Sequence, residues 1–450
     1  MASITGALAE LKRNPLRAVQ RALIEGVCRE EGYRWRDRLL PPAVTIGLFI
    51  QQVLQGNASC QAVGHIAKNG ATGSAWCQAR GRLPLAVFQK VLRKVHDAMR
   101  PQGRRDGYRW RGHRTFHIDG TGVTLWDSPS LRETFGLPGG VKPGCGFPVT
   151  HLLALFNAQN GLLVEVLAAP ARRGDLADVP ALLEHLQPGD ILVGDESFGG
   201  YTVLALLQHQ HAHGVFPVPH QRIVDFTPQR AFSREDQRDT QPGVAHTRWL
   251  RQLGHRDQLV EYFKPSHVPP WIDPALWVQL PDSLVVRELR RRVYHPLTGT
   301  RELTTVTTLL DPHAYPAQTL TALRGARWGV ETNIRHLKTT LKMDMLHCRT
   351  PEGVRKELCT FALVYNLVRA LMLEAARRQK VPVLRISFAD ALHWLQFVRR
   401  GEDVAVFLII PHRPHRIEPR VQKRRDKEYP YMTKPRAQYK NDLRKRKKNA

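Results

Sequence analysis

Hydrophobic residues recur at helical spacing through the first hundred positions of the chain. The segments VTIGLFIQQVLQ and LAVFQKVLRKVHDAM carry apolar residues three or four positions apart, which predicts helices with one buried face. Between them QGNAS interrupts the pattern, and Ser59 stands where it could cap a further helix, SCQAVGHIA. Two helices joined by a short turn are typical of helix-turn-helix DNA binding, and equally of an ordinary helical hairpin.

From residue 113 the apolar positions alternate with polar ones, which predicts strands. TFHIDGTGVTLWD predicts two short strands around a Gly-Thr-Gly turn, with Ile118 and Asp119 on opposite faces. VTHLLALFNAQNG and LLVEVLAAP predict a hairpin that turns at Asn160 and Gly161. A helix, the buried strand DILVGD, a second helix and the strand GVFPVP follow. This order predicts an α/β domain with a mixed sheet flanked by helices.

A third pattern separates this region from the helical sequence that resumes at residue 316. Residues 219–315 are polar, rich in Pro and Trp, and broken into short alternating runs such as SLVVRELRRRVY, which predicts a β-rich insertion. The predicted organisation is a helical DNA-binding domain (1–100), a basic linker (101–114), the first part of the α/β core (115–218), the β-rich insertion (219–315), the second part of the core (316–400) and a basic tail (401–450).

The charge of the chain indicates a polyanionic partner. It has 67 Lys and Arg against 40 Asp and Glu, a net charge of +27. A solvated basic surface is the simpler alternative, but DNA or RNA is the common partner of so basic a protein. Residues 411–450 carry 15 basic and 4 acidic residues. The like-charged block Arg444–Lys448 at their end is expected to be disordered when free and to hold phosphates without reading sequence.

Cysteine usage and hydropathy favour a reducing, aqueous compartment. The six cysteines are scattered without a CxxC pair, which argues against a zinc ribbon or a disulfide framework. No uninterrupted apolar run comes near the ~18 to 20 residues of a membrane helix, and the amino terminus lacks the order of a secretory signal. We expect a cytoplasmic, nucleoid-associated protein that does not enter a membrane.

Two aspartates are placed by their strands to share a cation. Asp119 lies in the first predicted strand, and Asp195 ends the apolar strand ILVGD. Sites gather at the carboxyl ends of strands in α/β folds. Carboxylates on neighbouring strands repel each other unless a cation lies between them, and Mg²⁺ suits oxygen ligands. Taken singly, each Asp is more simply explained as a turn or cap residue.

A third acidic residue lies in the helical segment ALRGARWGVETNIRHLKTTLK. Arg327, Glu331 and Lys338 fall on one face of an ideal helix. A Glu between two basic residues can ligate a metal while its neighbours hold phosphates, although a surface salt-bridge ladder has the same pattern. The packing side is predicted to consist of Trp328, Val330, Ile334, Leu337 and Leu341.

Together these segments resemble the DDE transposases of bacterial insertion sequences, in the family called insertion sequence four, over roughly residues 30–400. The matching blocks are FIQQVLQGNASCQAV, WCQARGRLP, HIDGTGVTLWD, GDILVGDESFGGY, the RWxxE(x)₆K run and LRISFADAL. Arg327, Glu331 and Lys338 match the Arg, Glu and Lys of the family signature Tyr-x₂-Arg-x₃-Glu-x₆-Lys. Arg324 stands in place of its Tyr, and Glu196 follows the second Asp where the family often has Arg.

The resemblance implies an RNase H-like catalytic core interrupted by a β-rich insertion. It implies that Asp119, Asp195 and Glu331 bind two Mg²⁺ ions, for which Mn²⁺ would substitute. One ion would activate water and later a DNA 3′-hydroxyl, and the other would stabilise the leaving oxygen. Arg327 and Lys338 would hold phosphates of the transposon end, and Arg324 would join them. Since two DNA ends must meet, a homodimer on double-stranded DNA is expected.

Three functions are compatible with these residues. The first is an active transposase that cuts at terminal inverted repeats and joins the 3′ ends to target DNA. The second is a domesticated DNA-binding protein that has lost catalysis, which the presence of all three carboxylates disfavours. The third is a DNA-binding regulator whose acidic residues are incidental, which the ordered motif blocks disfavour.

Overall fold

A computed structural model gives the structure of the chain. It describes residues 21–67, 70–99, 109–140, 142, 145–233, 244–295, 299–344, 346–397, 406–411 and 433–448. Its helices are α1 (Arg21–Glu30), α2 (Pro42–Leu54), α3 (Cys60–Ala67), α4 (Gly73–Arg82), α5 (Leu85–Met99), α6 (Pro129–Phe135), α7 (Val179–Leu183), α8 (Tyr201–His209), α9 (Pro274–Gln279), α10 (Ala317–Gly325), α11 (Trp328–Arg335), α12 (Pro351–Gln379), α13 (Phe388–Phe397) and α14 (Arg436–Lys448). Its strands are β1 (Thr115–Thr124), β2 (Val149–Asn157), β3 (Leu163–Pro170), β4 (Ile191–Val193), β5 (His213–Pro217), β6 (Arg248–Gly254), β7 (Asp257–Phe263), β8 (Ser283–His295) and β9 (Gly299–Thr307).

The described strands form one mixed sheet, as the alternating pattern predicts. The strand order is β3-β2-β1-β4-β5-β9-β8-β7-β6. β1 pairs antiparallel with β2 and parallel with β4, and β4 pairs parallel with β5. The predicted hairpin between β2 and β3 is confirmed, with Gly161 at a φ of 73° in its turn. The mixed α/β fold class is therefore confirmed.

The prediction of two short strands around Gly-Thr-Gly is wrong, because β1 is one continuous strand. Neither Gly120 nor Gly122 has the positive φ that such a turn would need, and both pair in register with β2. Gly120 instead allows two side chains to pack closely against the strand. A Cβ there would lie 2.7 Å from Cε1 of His151 and 2.8 Å from Oδ2 of Asp175. The absence of a side chain at Gly120 therefore makes room for His151 and Asp175 and does not create a turn.

The described part of residues 219–315 contains strands β6, β7, β8 and β9, and these strands extend the central sheet. β9 pairs antiparallel with β5, and β8, β7 and β6 follow β9 in the sheet, each antiparallel to its neighbour. The fully buried Arg287 of β8 fastens the extension to the core. Its Nε donates to Oδ1 of Asp257 at 2.7 Å, and its Nη1 donates to the Tyr315 carbonyl at 2.7 Å. Trp277 packs in the same core as Ile118.

The helices of the predicted N-terminal domain share one hydrophobic core with the second half of the chain. The central element of this core is helix α12, in which every residue from Lys356 to Ala376 is buried. By length and composition α12 could span a membrane, but its apolar stretch is entirely covered by protein. The predicted cap of α3 is confirmed, since the Ala62 N–H donates to Oγ of Ser59 at 3.3 Å. The helical segment 1–100 is thus packed against the core in its described part.

The helical segment after residue 316 contains two deviations from the predicted pattern. α11 is followed by a π-helical turn, His336–Thr340, which carries Lys338 out of the regular helical register. Trp328, expected on the packing side, is 70% exposed, so that part of the prediction is wrong. It lies two positions from the buried Val330, which is roughly 200° around a helix of 3.6 residues per turn.

The basic segments differ from expectation where the structure describes them. The predicted disorder of Arg444–Lys448 is wrong, because these residues belong to α14. An ion pair of 2.6 Å between Lys434 and Asp442 and one of 2.9 Å between Arg436 and Asp127 support that helix. In the predicted linker, residues 100–108 lie outside the described part. Arg114 at its end is bound to the protein, through Nε to Oδ1 of Asp190 at 2.7 Å.

Removing one partner of the buried pair behind the strand extension should destabilise the protein strongly. Asp257→Ala leaves the Arg287 guanidinium buried and unpaired, which costs about 3–5 kcal/mol. Urea unfolding measures this loss. Glu302→Ala is the matched control, since Glu302 pairs at the surface with Arg256, next to Asp257, and exposed pairs contribute about 0–1 kcal/mol. Equal losses in the two variants would contradict the structural role of the buried pair.

Candidate active site

Asp119 and Asp195 both follow the paired part of strands β1 and β4. In this parallel pair the last register partners are His117 and Val193. Asp119 and Asp195 each lie two residues beyond that pair, and the charge of Asp195 acts on the Asp119 carboxyl. Oδ1 of Asp195 also accepts from the N–H of Ser197 at 2.9 Å and from its hydroxyl at 2.5 Å, which caps the short helix after β4.

Arg327 connects Glu331, on helix α11, with Asp119 on strand β1. Arg327 is the N-cap residue of that helix and is largely buried. Its Nη1 lies 3.5 Å from Oδ2 of Asp119, and its Nη2 donates to Oε1 of Glu331 at 3.1 Å. The guanidinium therefore bridges the first and third predicted carboxylates. From sequence we expected Arg327 to hold phosphate, and its bridging position was missed.

The pKa of Asp119 reflects both its burial and the charges around it. Burial raises the pKa of its carboxyl from 3.8 to about 6, against the opposing effects of Arg327 and the Gly120 N–H. The negative charges of Asp195 and Glu331 raise it further. Asp119 therefore lies within electrostatic range of both other carboxylates and of the Arg327 guanidinium.

The two other basic residues predicted for the site contact different strands. Nζ of Lys338 donates to Oγ1 of Thr121 at 3.1 Å and to the Gly122 carbonyl at 2.7 Å, so it lies along the second half of β1. Nη1 of Arg324 donates to the carbonyl of Thr304 at 3.0 Å and to Oγ1 of Thr305 at 3.1 Å. Arg324 therefore fastens α10 to β9, and burial lowers its pKa to about 10.

A histidine–aspartate pair beside the site has no signal in the sequence. Nε2 of His151 lies 2.8 Å from Oδ1 of Asp175, and this hydrogen bond raises the pKa of the imidazole. His151 pairs in register with Gly122 and so lies on the sheet face opposite Asp119. Only the small glycine at position 120 hints at this approach. Glu196, which directly follows the second Asp, contacts His220 instead, with its Oε1 3.2 Å from Nδ1 of that histidine.

The donor set at the site suits a hard divalent cation. It consists of carboxylate oxygens, and the pKa of Asp119 is raised mainly by burial and further by the charges of Asp195 and Glu331. Within the described ranges, however, no three His, Cys, Asp or Glu side chains lie close enough to hold one metal ion in this conformation. Arg327 occupies the position between Asp119 and Glu331 instead. The chemistry of the residues therefore fits a divalent ion, provided that this guanidinium moves.

The sequence also matches known transposases. A family profile described as "Transposase DDE domain" matches residues 110–367, which is more than half of the chain. The chain is 28% identical over 390 residues to "Transposase InsG for insertion sequence element IS4" of Escherichia coli strain K12, covering 80% of this chain and 78% of that protein. It is 26% identical over 190 residues to "Putative transposase InsZ" of the same strain, covering 40% of this chain and 63% of that protein.

A solved structure is similar only weakly. The piggyBac transposase in its synaptic complex with hairpin DNA aligns with a TM-score of 0.40 and 9% identity, over 88% of this chain and 80% of that one. This similarity is too low to establish a shared fold. The profile match contains all three carboxylates and the bridging arginine, and domains of this family generally use divalent metal ions. The chain belongs to the DDE transposases of insertion sequences, of the IS4 type.

Proposed function

We propose that this protein cuts DNA at transposon ends and joins the 3′ ends to target DNA, with Asp119, Asp195 and Glu331 as ligands of divalent metal ions. The carrying observation is that one guanidinium lies between Asp119 and Glu331, while the charge of Asp195 also acts on the Asp119 carboxyl. A salt-bridge ladder on a helix surface would not involve the strand residue Asp119. The same contact disfavours a regulator whose acidic residues are incidental.

The sheet topology supports an RNase H-like core for this reaction. The order β3-β2-β1-β4-β5, with β2 antiparallel and β4 and β5 parallel to β1, has Asp119 on β1 and Asp195 two residues beyond the end of the adjacent strand β4. The inserted strands join at β9, on the far side of β5. They lie between the second carboxylate and the helix of Glu331 in sequence, and Arg327 still connects Asp119 with Glu331 in space.

The residues of the chain would divide the chemistry as follows. Bound Mg²⁺ or Mn²⁺ would supply the activation of water or of a 3′-hydroxyl and the stabilisation of the leaving oxygen. The three carboxylates would hold the ions and set their positions. Arg327 balances Asp119 and Glu331 in the present conformation, and on release from them its guanidinium would contact a phosphate oxygen.

We propose distinct roles for the two other cations and for assembly. Lys338 would hold a DNA phosphate near Thr121, because its ammonium is already fixed at the edge of β1. Arg324 would act indirectly by fastening α10 to β9. Joining two DNA ends requires two protomers to meet, so the functional form would be a homodimer on double-stranded DNA.

Removing any one carboxylate should abolish cutting while DNA binding persists. In Asp119→Asn, Asp195→Asn and Glu331→Gln the nicking rate should fall about a hundredfold or more, because each loses a ligand worth several kcal/mol of transition-state stabilisation. The assay is nicking of a duplex with the element's terminal inverted repeat in Mg²⁺, alongside a gel-shift measurement. Glu196→Gln is the matched control and should cut at the wild-type rate. Cutting by all three variants would exclude this assignment.

The raised pKa of Asp119 predicts a stability gain in a variant that cannot cut. An acid whose folded-state pKa is raised destabilises the fold only where it is ionised. The penalty should therefore develop as the pH rises from 3.8 to about 6 and stay constant above that range.

In the presence of a metal chelator at pH 7.5, the free energy of unfolding of Asp119→Asn should exceed that of the wild type by on the order of 1–3 kcal/mol. The two proteins should converge near the ordinary carboxyl pKa of 3.8. Added Mn²⁺ should raise the stability of the wild type alone. A wild type more stable than the variant at every pH in chelator would contradict the prediction.

A further inference from the structure

A cavity of about 700 Å³ opens between the starts of α3 and α12 and the second half of α4. It lies apart from the carboxylate site, in the region where sequence indicates DNA binding. Three cations line it, Arg80, Arg349 and Lys356, against one carboxylate, Glu352. That Glu352 side chain is 57% exposed and pairs with Lys356 at 2.9 Å. The described lining therefore carries an excess of positive charge.

Arg80 is the unusual member of this lining. It is only 7% exposed, and its guanidinium lies 4.7 Å from the ring centre of Phe49 and 4.5 Å from that of Trp76. Such stacking fixes the plane of the guanidinium. Its polar contacts within the described chain are long, 3.5 Å to Oε1 of Gln52 and 3.8–4.0 Å to two thiol sulfurs.

The nearest buried carboxylate does not pair with this arginine directly. Glu357 is fully buried and accepts hydrogen bonds from Nδ2 of Asn57 at 2.9 Å, the His347 N–H at 2.9 Å and the Cys348 N–H at 2.9 Å. These donors occupy the carboxylate. A buried charge held only by long hydrogen bonds is costly, so the guanidinium is poised for an anion that enters the cavity.

The cysteines around Arg80 do not supply that anion. Cys60 and Cys77 lie 4.0 Å and 3.8 Å from its Nη2, and Cys348 also lines the cavity. Burial raises the pKa of Cys60 and, strongly, that of Cys348, so these thiols stay neutral at physiological pH. With a cation among neutral thiols, the cluster is unsuited to a metal ion.

Basic residues connect this cavity with the carboxylate site. Lys338 lies along β1, Lys342 lies against Gly56 at the turn before α3, and the Arg349 guanidinium stacks at 4.5 Å over Trp126, just beyond β1. We propose that the cavity binds a backbone phosphate of the same DNA duplex that the carboxylate site cuts, with Arg80 as its buried recognition residue. This inference rests on the proposed function.

The thiols that flank Arg80 provide a direct probe of occupancy. An anion at the guanidinium should slow the alkylation of Cys60 and Cys77 by the uncharged reagent N-ethylmaleimide, measured by peptide mass spectrometry at fixed pH and ionic strength. Inorganic phosphate in place of chloride, and separately a duplex with the terminal inverted repeat, should each slow the reaction about tenfold at roughly ten times the Kd. Cys28, buried in the helical core, monitors global opening.

Matched variants separate this site from general charge effects. Arg80→Gln and Arg349→Gln should lose the protection, whereas Arg82→Gln, which removes an exposed arginine of the same helix outside the cavity, should keep it. Arg349 is exposed, so its variant serves even if Arg80→Gln unfolds.

The outcomes also separate this proposal from the proposed function. Duplex that binds in a gel shift without protecting the thiols would overturn the cavity proposal and leave transposition intact. Protection by inorganic phosphate but not by duplex would overturn DNA as the source of the phosphate. Protection retained in both cavity variants would likewise exclude the site, whereas failure to bind any duplex would count against the proposed function itself.

Discussion

The negative charges of Asp195 and Glu331 act on the buried Asp119, and in this structure the Arg327 guanidinium supplies a balancing charge. It contacts Asp119 on β1 and Glu331 on α11, so it links the sheet to the helix that follows the insertion. The pKa of Asp119 nevertheless remains raised to about 6, mainly because the carboxyl is buried. A bound divalent cation would favour the ionised carboxyl, and this is the physical basis of the proposed metal chemistry.

The position of that helix depends on packing far from the site. Val330 and Ile334 of α11 belong to the same core as α12 and the helices α1 to α5. The N-terminal helices are therefore part of the body that holds the proposed catalytic residues. This arrangement explains how a cavity lined by α3 and α4 can lie on the same body as the carboxylates, with Lys342 and Arg349 between them.

Charge in this protein is used in two ways that composition does not separate. Many arginines are structural: Arg287 holds the strand extension, Arg114 holds Asp190, and Arg324 holds β9. Others, such as Arg80, Arg349 and Lys338, face cavities or strand edges where a phosphate could approach. A net charge of +27 thus indicates a polyanionic partner, while the location of each guanidinium indicates which residues are free to meet it.

By itself the sequence determined the mixed α/β class, the β2–β3 hairpin, the strand before Asp195 and the family, because alternation, turn residues and ordered motifs are local properties. It also identified the three carboxylates, whose roles stay a prediction. The tertiary structure decided the rest. The sequence predicted a turn at Gly120, but in the structure this glycine makes room for the side chains of His151 and Asp175. Lys338 does not lie on the predicted helix face, because a π-helical turn interrupts the helix. Arg324 is hydrogen-bonded to β9 inside the protein, whereas Trp328 is exposed to solvent. These outcomes depend on contacts between residues distant in the chain, which no local pattern encodes.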